Sequence, residues 1–194
     1  MGDPAEKLPR RATYADLEAV PTHRVAEIIE GVLHTFPRPA PRHARAAGRL
    51  GAKLDGPFDE GHDGPGGWII LPEPELHFGP EDDKGVLVPD LAGWRRERLP
   101  RLPDEAFFRL APDWVCEVLS PSTEAHDREK KMAVYAREGV RHAWLIDPLV
   151  RTLEVFALGE KGKWVLSAVY SDAALVRAEP FEALELELAR LWAE

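Results

Sequence analysis

The sequence predicts an α/β fold: one domain built on a mixed β-sheet flanked by helices. Three observations carry this expectation. First, a strand-like run at 114–119, a charged helix from about 124 to 138 and a second apolar run at 142–146 form a strand–helix–strand unit, the connection that joins parallel neighbours in a sheet. Second, the other apolar runs are short and separated by Gly, Pro and Asp, as in antiparallel hairpins. Third, 194 residues with 44% hydrophobic content suffice for one well-cored domain and are short for two.

Residues 1–12 read as a disordered leader ahead of a domain over 13–194. Thr13 can cap a short helix through about Val20, with Asp16 at the capping-box position. Arg24–Ile29 and Val32–Phe36 flank Glu30-Gly31 as two arms of a hairpin, and Pro37 to Pro41 end the second arm. His43–Leu54 reads as an amphipathic helix with Ala46, Ala47, Leu50 and Leu54 on its apolar face. A Gly- and Asp-rich loop over 56–67 precedes strands at 68–71, 75–78 and 86–94. The basic stretch 95–109 reads as irregular, with one helical turn after Pro103. Beyond the strand–helix–strand unit, 152–158 and 164–170 alternate like a hairpin around Gly159–Gly162. Phe181, Leu184, Leu186, Leu188, Leu191 and Trp192 then read as a strand and short helix docking on the core, and the six tryptophans as core residues.

Composition narrows the function classes. No apolar run approaches the roughly 18 residues a membrane span needs, and the first residues lack the basic-then-apolar order of a secretion signal. Cys116 is the only cysteine, so no internal disulfide forms, which suits a reducing, cytoplasmic setting. Strand alternation places it opposite Glu117, as a small buried hydrophobe. The net charge of −9 argues against broad nucleic-acid binding, although a local basic groove or bound metal ions can offset it. There is no Asn and no Gln, so the usual adenine-reading side chains are missing. No phosphate-binding loop, dinucleotide fingerprint, nucleophile elbow or zinc-protease motif occurs.

The chemistry-bearing residues are acids inside apolar runs. Glu117 has hydrophobic neighbours on both sides, where an unpaired charge costs several kcal/mol. Asp90 follows Pro89 at the end of another such run, and reads either as a ligand or as a strand-end turn residue. If their strands are neighbours, Asp90 and Glu117 can hold Mg²⁺ or Mn²⁺, with a backbone carbonyl, that of Val118, as a third oxygen. A cation beside Glu117 belongs at position 119 by strand alternation, but that position is Leu119. Lys131 on the next helix is the nearest substitute, with Lys130 directed elsewhere. Asp127 and Lys131 also fit a solvated i,i+4 pair, and Tyr135 fits core packing. Glu27 reads as a further ligand or water-orienting group, or as the partner of an arginine. His43 reads as a substrate contact, a proton donor or an ordinary helix-end residue.

Taken together, Glu27-Ile-Ile-Glu-Gly31, His43, Pro89-Asp90, Glu117-Val-Leu-Ser-Pro-Ser-Thr123, Asp127, Lys131, Tyr135 and Gly139 to Pro148 resemble the Uma-type family of restriction endonucleases, placed in the PD-(D/E)XK nuclease superfamily. The resemblance spans roughly 13–190. It implies a restriction-endonuclease-like core and a magnesium-dependent phosphodiesterase site in which Asp90 and Glu117 are the metal-binding acids. Lys131 is then the lysine moved from strand to helix, and Glu27 and His43 match further motif positions. The expected activity is metal-dependent hydrolysis of DNA by a homodimer. The alternatives are a non-catalytic interaction or regulatory module on the same fold and, behind it, a glycoside hydrolase using paired carboxylates.

Overall fold

The computed structural model describes residues 10–80 and 85–193. The chain begins with a short helix α1 (Tyr14–Glu18), whose Thr13 N–H and hydroxyl both donate to the Asp16 carboxylate at 2.7 and 2.8 Å. The leader expected over 1–12 lies outside the described residues as far as residue 9, and the Ala12 N–H donates to the Gly31 carbonyl at 2.7 Å. Strands β1 (Arg24–Ile29) and β2 (Val32–Pro37) pair in antiparallel register from Arg24–Pro37 to Ile29–Val32. Glu30 and Gly31 connect them with φ of +53° and +75°, the two-residue turn whose twist matches the strands it joins.

Helix α2 (Pro41–Leu54) starts with proline, which has no N–H to leave unpaired in a first turn. It buries His43, Ala46, Leu50 and Leu54; of the stripe expected from sequence Ala47 is only half-buried, and His43 joins it. The next residues, Asp55–Glu60, continue as a π-helical turn rather than opening into a loop. Then come β3 (Trp68–Pro72), β4 (Leu76–Phe78), β5 (Gly85–Leu87), β6 (Leu91–Arg95), β7 (Trp114–Val118), helix α3 (Met132–Arg137), β8 (His142–Asp147), β9 (Thr152–Leu158), β10 (Trp164–Ser171), β11 (Leu175–Val176), β12 (Leu186–Glu187) and helix α4 (Ala189–Trp192).

Six strands form the central sheet in the order β10-β9-β8-β7-β6-β3, antiparallel except for β7 and β8, which run parallel across the crossover. The mixed sheet is therefore present, but it is not alone. A second, antiparallel sheet runs β2-β1-β5-β4, and β11 and β12 make a small ribbon. The helical turn expected directly after Pro103 is not formed, and residues 103–113 are irregular.

The run 86–94, expected as one strand, is two. Pro89 has no N–H to give a ladder and forces the preceding residue extended. The chain accordingly leaves the four-stranded sheet at Leu87 and enters the six-stranded sheet at Leu91. The main-chain groups of Val88 are thereby released from pairing.

Strand alternation sorts β7 between two cores. Trp114, Cys116 and Val118 pack with α2 and the C-terminal residues Phe181, Leu186, Leu188 and Leu191. Val115 and Leu119 face the other way, toward Met132, Val134 and Tyr135 of α3 and toward Phe78 and Leu87 of the second sheet. Glu117 belongs by alternation to this second face and is buried in it. Trp68, Trp94, Trp114 and Trp144 are fully buried, and Phe181 sits 4.7–5.6 Å, centroid to centroid, from Trp68, Trp114, Trp144 and Phe58. Among the described residues no helix is long and apolar enough to cross a membrane.

Candidate active site

A cleft of about 280 Å³ opens where the two sheets meet the end of β7, and Glu27, His43, Asp90, Glu117, Asp127 and Lys131 all line it. Every side chain singled out from sequence is thus in one place. Each arrives on a different element: Glu27 on β1, His43 on the first turn of α2, Asp90 just before β6 and Glu117 on β7. Because β6 and β7 pair through Leu91 and Cys116, Asp90 stands next to Glu117 across the ladder.

Lys131 comes from a π-helical segment, His126–Lys131, that leads directly into α3. Its wider turn, marked by the Met132 N–H donating to the Asp127 carbonyl, brings His126, Asp127 and Lys131 inward together. Asp127 and Lys131 are therefore buried, 3.8 Å apart, rather than a solvated surface pair. Lys130 is exposed.

The Lys131 ammonium is the hub. It donates to Glu117 Oε2 at 2.9 Å and to the Val88 carbonyl at 3.0 Å, and it lies 3.0 Å from Glu27 Oε1. The partner of Glu27 is thus this lysine, not an arginine. Glu27 Oε1 also accepts the Val88 N–H at 2.8 Å, and Glu27 Oε2 accepts from His126 Nε2 at 2.9 Å. An ionised carboxylate only accepts, so Nε2 carries the proton. The ring of His126 is covered by His34 and Phe36, each 4.7 Å away between centroids. Glu117 Oε1 accepts the Tyr135 hydroxyl at 2.5 Å. Asp90 uses Oδ2 twice, accepting the Val118 N–H at 2.7 Å and lying 3.2 Å from His43 Nε2. Val118 thus meets Asp90 through its N–H.

Burial and charge set the protonation states. Burial pushes the Glu27 carboxyl up, but the Lys131 charge, His126 and the Val88 N–H outweigh it and hold the group at about 2. Glu117 moves the opposite way. Burial raises it well above the ordinary range and Asp127, Asp90 and Glu27 add repulsion, against the attraction of Lys131. Asp127 is raised in the same way, by burial first. Burial opposes the charge on Lys131, yet Glu117 and Glu27 keep it firmly protonated. His43 loses to burial and gains more from Asp90, so its proton is held more tightly than usual.

Sequence reasoning missed three contributors. Tyr135 is core, as expected, but its hydroxyl anchors Glu117. His126 had no signal beyond its place before Asp127. The main-chain groups of Val88 become available only because Pro89 ends the pairing.

A mixed sheet covered by helices, with two acids at the ends of paired strands and a lysine delivered from the following helix, is the arrangement of the restriction-endonuclease-like class. The chain belongs to the Uma2 family, described as "Putative restriction endonuclease", which it matches over residues 11–190. Among solved structures it is similar to an Anabaena variabilis protein described as a "putative nuclease belonging to DUF820". That likeness has a TM-score of 0.73 and 24% identity, and covers 93% of this chain and 97% of the other; it is a likeness of fold. No curated protein matches.

Proposed function

We propose that the protein is a metal-dependent endonuclease that hydrolyses phosphodiester bonds in DNA. One observation carries this reading: five carboxylates, Glu27, Glu73, Asp90, Glu117 and Asp127, line a single cleft with Lys131 and Arg38, and all of the five but Glu73 are buried or half-buried. Such an excess of negative charge out of water is costly unless a cation joins it. Among the described residues no three or more His, Cys, Asp or Glu side chains already stand in metal-holding geometry. Magnesium does not require that, since it keeps several waters and uses one or two carboxylates. Asp90 fits the part. Its side chain is 14% exposed against 3% for Glu117, and among the described residues no hydrogen bond falls on its Oδ1.

Asp90 and Glu117 would hold Mg²⁺ or Mn²⁺, with the Val118 carbonyl as the third protein oxygen. When bound, the metal supplies a water of lowered pKa and neutralises phosphate charge. Lys131 supplies a fixed positive charge for the developing phosphorane oxygens. Glu27 holds that ammonium in place. His43, protonated beside Asp90, is the proton donor to the leaving oxygen.

Nicking of supercoiled plasmid in Mg²⁺ or Mn²⁺ is the expected result, and calorimetry should find a Mn²⁺ site that Asp90→Ala removes. A protein that takes up no Mn²⁺ and never nicks is the non-catalytic module instead, a reading favoured by the hydrogen bonds that already occupy both Glu117 oxygens.

The apolar C-terminal residues pack into their own core, so the homodimer reading rests on the need to cut two strands. Light scattering should give twice the 21.7 kDa chain mass, and a monomer at high concentration refutes it. A cytoplasmic setting suits the buried free thiol of Cys116.

A further inference from the structure

We propose that the outer edge of β10 is the surface on which two copies of the chain pair, antiparallel about a twofold axis, so that their six-stranded sheets join into one. This deepens the homodimer of the proposed reading by naming its interface, and it makes no use of the candidate active site. β10 is an end strand of the six-stranded sheet and pairs with β9 alone. Its eight residues, Trp164–Ser171, include no charged residue and no proline, two devices that keep an edge from adding another strand. Val165, Leu166 and Val169 are each more than half exposed on it. At the other end of the same sheet β3 is mostly buried, and its Ile70 N–H donates to Asp59 Oδ2 at 2.8 Å. One edge is covered and the other is open.

What fits this edge is β10 itself. The Lys163 carbonyl accepts the Gly159 N–H, and the Asp172 N–H donates to the Arg151 carbonyl, so both residues bond inward across the hairpin. Main-chain groups alternate in direction along a strand, and the bulge between Leu166 and Ala168 takes up one residue. Trp164, Leu166, Val169 and Ser171 therefore turn their main-chain groups outward. Among the described residues the one main-chain hydrogen bond made there runs from the Ala174 N–H to the Ser171 carbonyl. A second copy laid antiparallel, with the axis between Ser167 and Ala168, sets Leu166 opposite Val169 and Trp164 opposite Ser171. All four outward residues then meet outward partners.

The same register matches the side chains. Leu166 and Val169 stand opposite Phe156 and Glu154 of β9, two residues apart, and so share one face of the sheet. Across the axis they form an apolar pair twice over. Val165 meets Tyr170 on the other face, since their β9 partners Ala157 and Leu153 also share a face. At each end the exposed Lys163 meets the exposed Asp172, and among the described residues neither is in an ion pair. Complementary charge at both ends selects a second copy over an unrelated strand. The ladder orders eight residues a side, where an interface of standard size uses about 20–30, so the dimer should dissociate on dilution.

The test is light scattering of the full chain over a dilution series, with hydrogen exchange of the wild type as a second measurement that needs no variant. Mass should rise from one chain to two with concentration, and the Leu166 and Val169 amides should exchange slowly in the dimer and fast in the dilute monomer. Val169→Lys sets a charge against Leu166 of the other copy at two places and should raise Kd by about tenfold. Lys163→Glu sets an acid against Asp172 at both ends and should raise Kd by about fivefold. Adding Asp172→Asn, a residue that accepts the φ of +54° there, should return Kd toward the wild-type value. Lys161→Glu makes the same change of charge in the turn between β9 and β10, outside the ladder, and should leave Kd unchanged. A monomer at the highest concentration overturns the interface and the homodimer together. A dimer that ignores Val169→Lys and Lys163→Glu, or whose Leu166 and Val169 amides exchange freely, overturns the interface alone. A dimer broken by these variants that nicks no plasmid in Mn²⁺ upholds the interface and overturns the endonuclease.

Discussion

Glu117→Gln is expected to abolish plasmid nicking while leaving the protein as stable as before, or more so. The substitution keeps the shape of the side chain, removes its charge and replaces one acceptor oxygen with an amide N–H2, so the Tyr135 hydroxyl keeps an oxygen to donate to while Lys131 gives up its Glu117 acceptor. Lys131 keeps Glu27 at 3.0 Å and the Val88 carbonyl at 3.0 Å. Rate should fall by about 10²- to 10³-fold, the loss typical of one well-placed electrostatic group in an active site, and Mn²⁺ affinity should fall with it. Stability should move the other way. The Glu117 carboxyl is raised well above its ordinary 4.5, by burial and then by its acidic neighbours. A carboxyl raised on folding contributes its stability below the unfolded value and loses it as pH climbs through the folded one. The wild type therefore carries a penalty at neutral pH that the glutamine variant lacks, and the urea midpoints of the two should converge as pH falls toward 4.5. A variant that nicks at the wild-type rate removes Glu117 from the chemistry. One that is much less stable at pH 7 makes the residue structural.

That a residue can be a stability cost and a functional necessity at once explains why Glu117 was so legible from sequence. Nothing in strand chemistry favours an acid between Cys116 and Val118, so its presence signals a partner. Leu119 is equally informative: it leaves no lysine on the strand, so the nearest cation is Lys131, which does reach Glu117 at 2.9 Å. The hairpin at Glu30-Gly31 was readable from Gly31, which takes positive φ without a Cβ penalty, set between two short apolar runs; Glu30 shares the positive φ although glutamate has no preference for it.

What sequence could not give was the arrangement between elements. The run 86–94 is continuous in hydrophobicity, and only the three-dimensional structure shows that its halves serve different sheets. Pro89 was the available clue. Periodicity identifies Tyr135 as core but does not say where its hydroxyl goes. The spacing of Asp127 and Lys131 fits an exposed ion pair on a regular helix, and the π-helical turn that buries them instead has no local signature. Asp127, His126 and Glu27 gain meaning only from one another, because each is costly to bury without the rest.

That mutual dependence predicts a large stability effect. Lys131→Met should destabilise the protein by about 3–5 kcal/mol at pH 7, the cost of leaving buried charge without its partner. Methionine fills much of the same volume, so the loss is electrostatic rather than a packing defect. Without the ammonium, Glu27 loses the strongest influence holding it at about 2, while Glu117 and Asp127 lose the attraction that offsets their burial. Glu117 and Asp127 are then raised further and Glu27 moves up from its lowered position, so the folded variant binds more protons than the folded wild type and regains stability as pH falls. The deficit in urea denaturation should therefore shrink between pH 7 and about 4.5. A pH-independent deficit would point to lost packing instead. Mn²⁺ should narrow the gap at pH 7 if the acids accept a cation in the lysine's absence, a rescue that is independent of any cleavage assay. The same substitution should also eliminate nicking, since the remaining cleft offers the phosphate five carboxylates and no fixed positive charge beside Glu117.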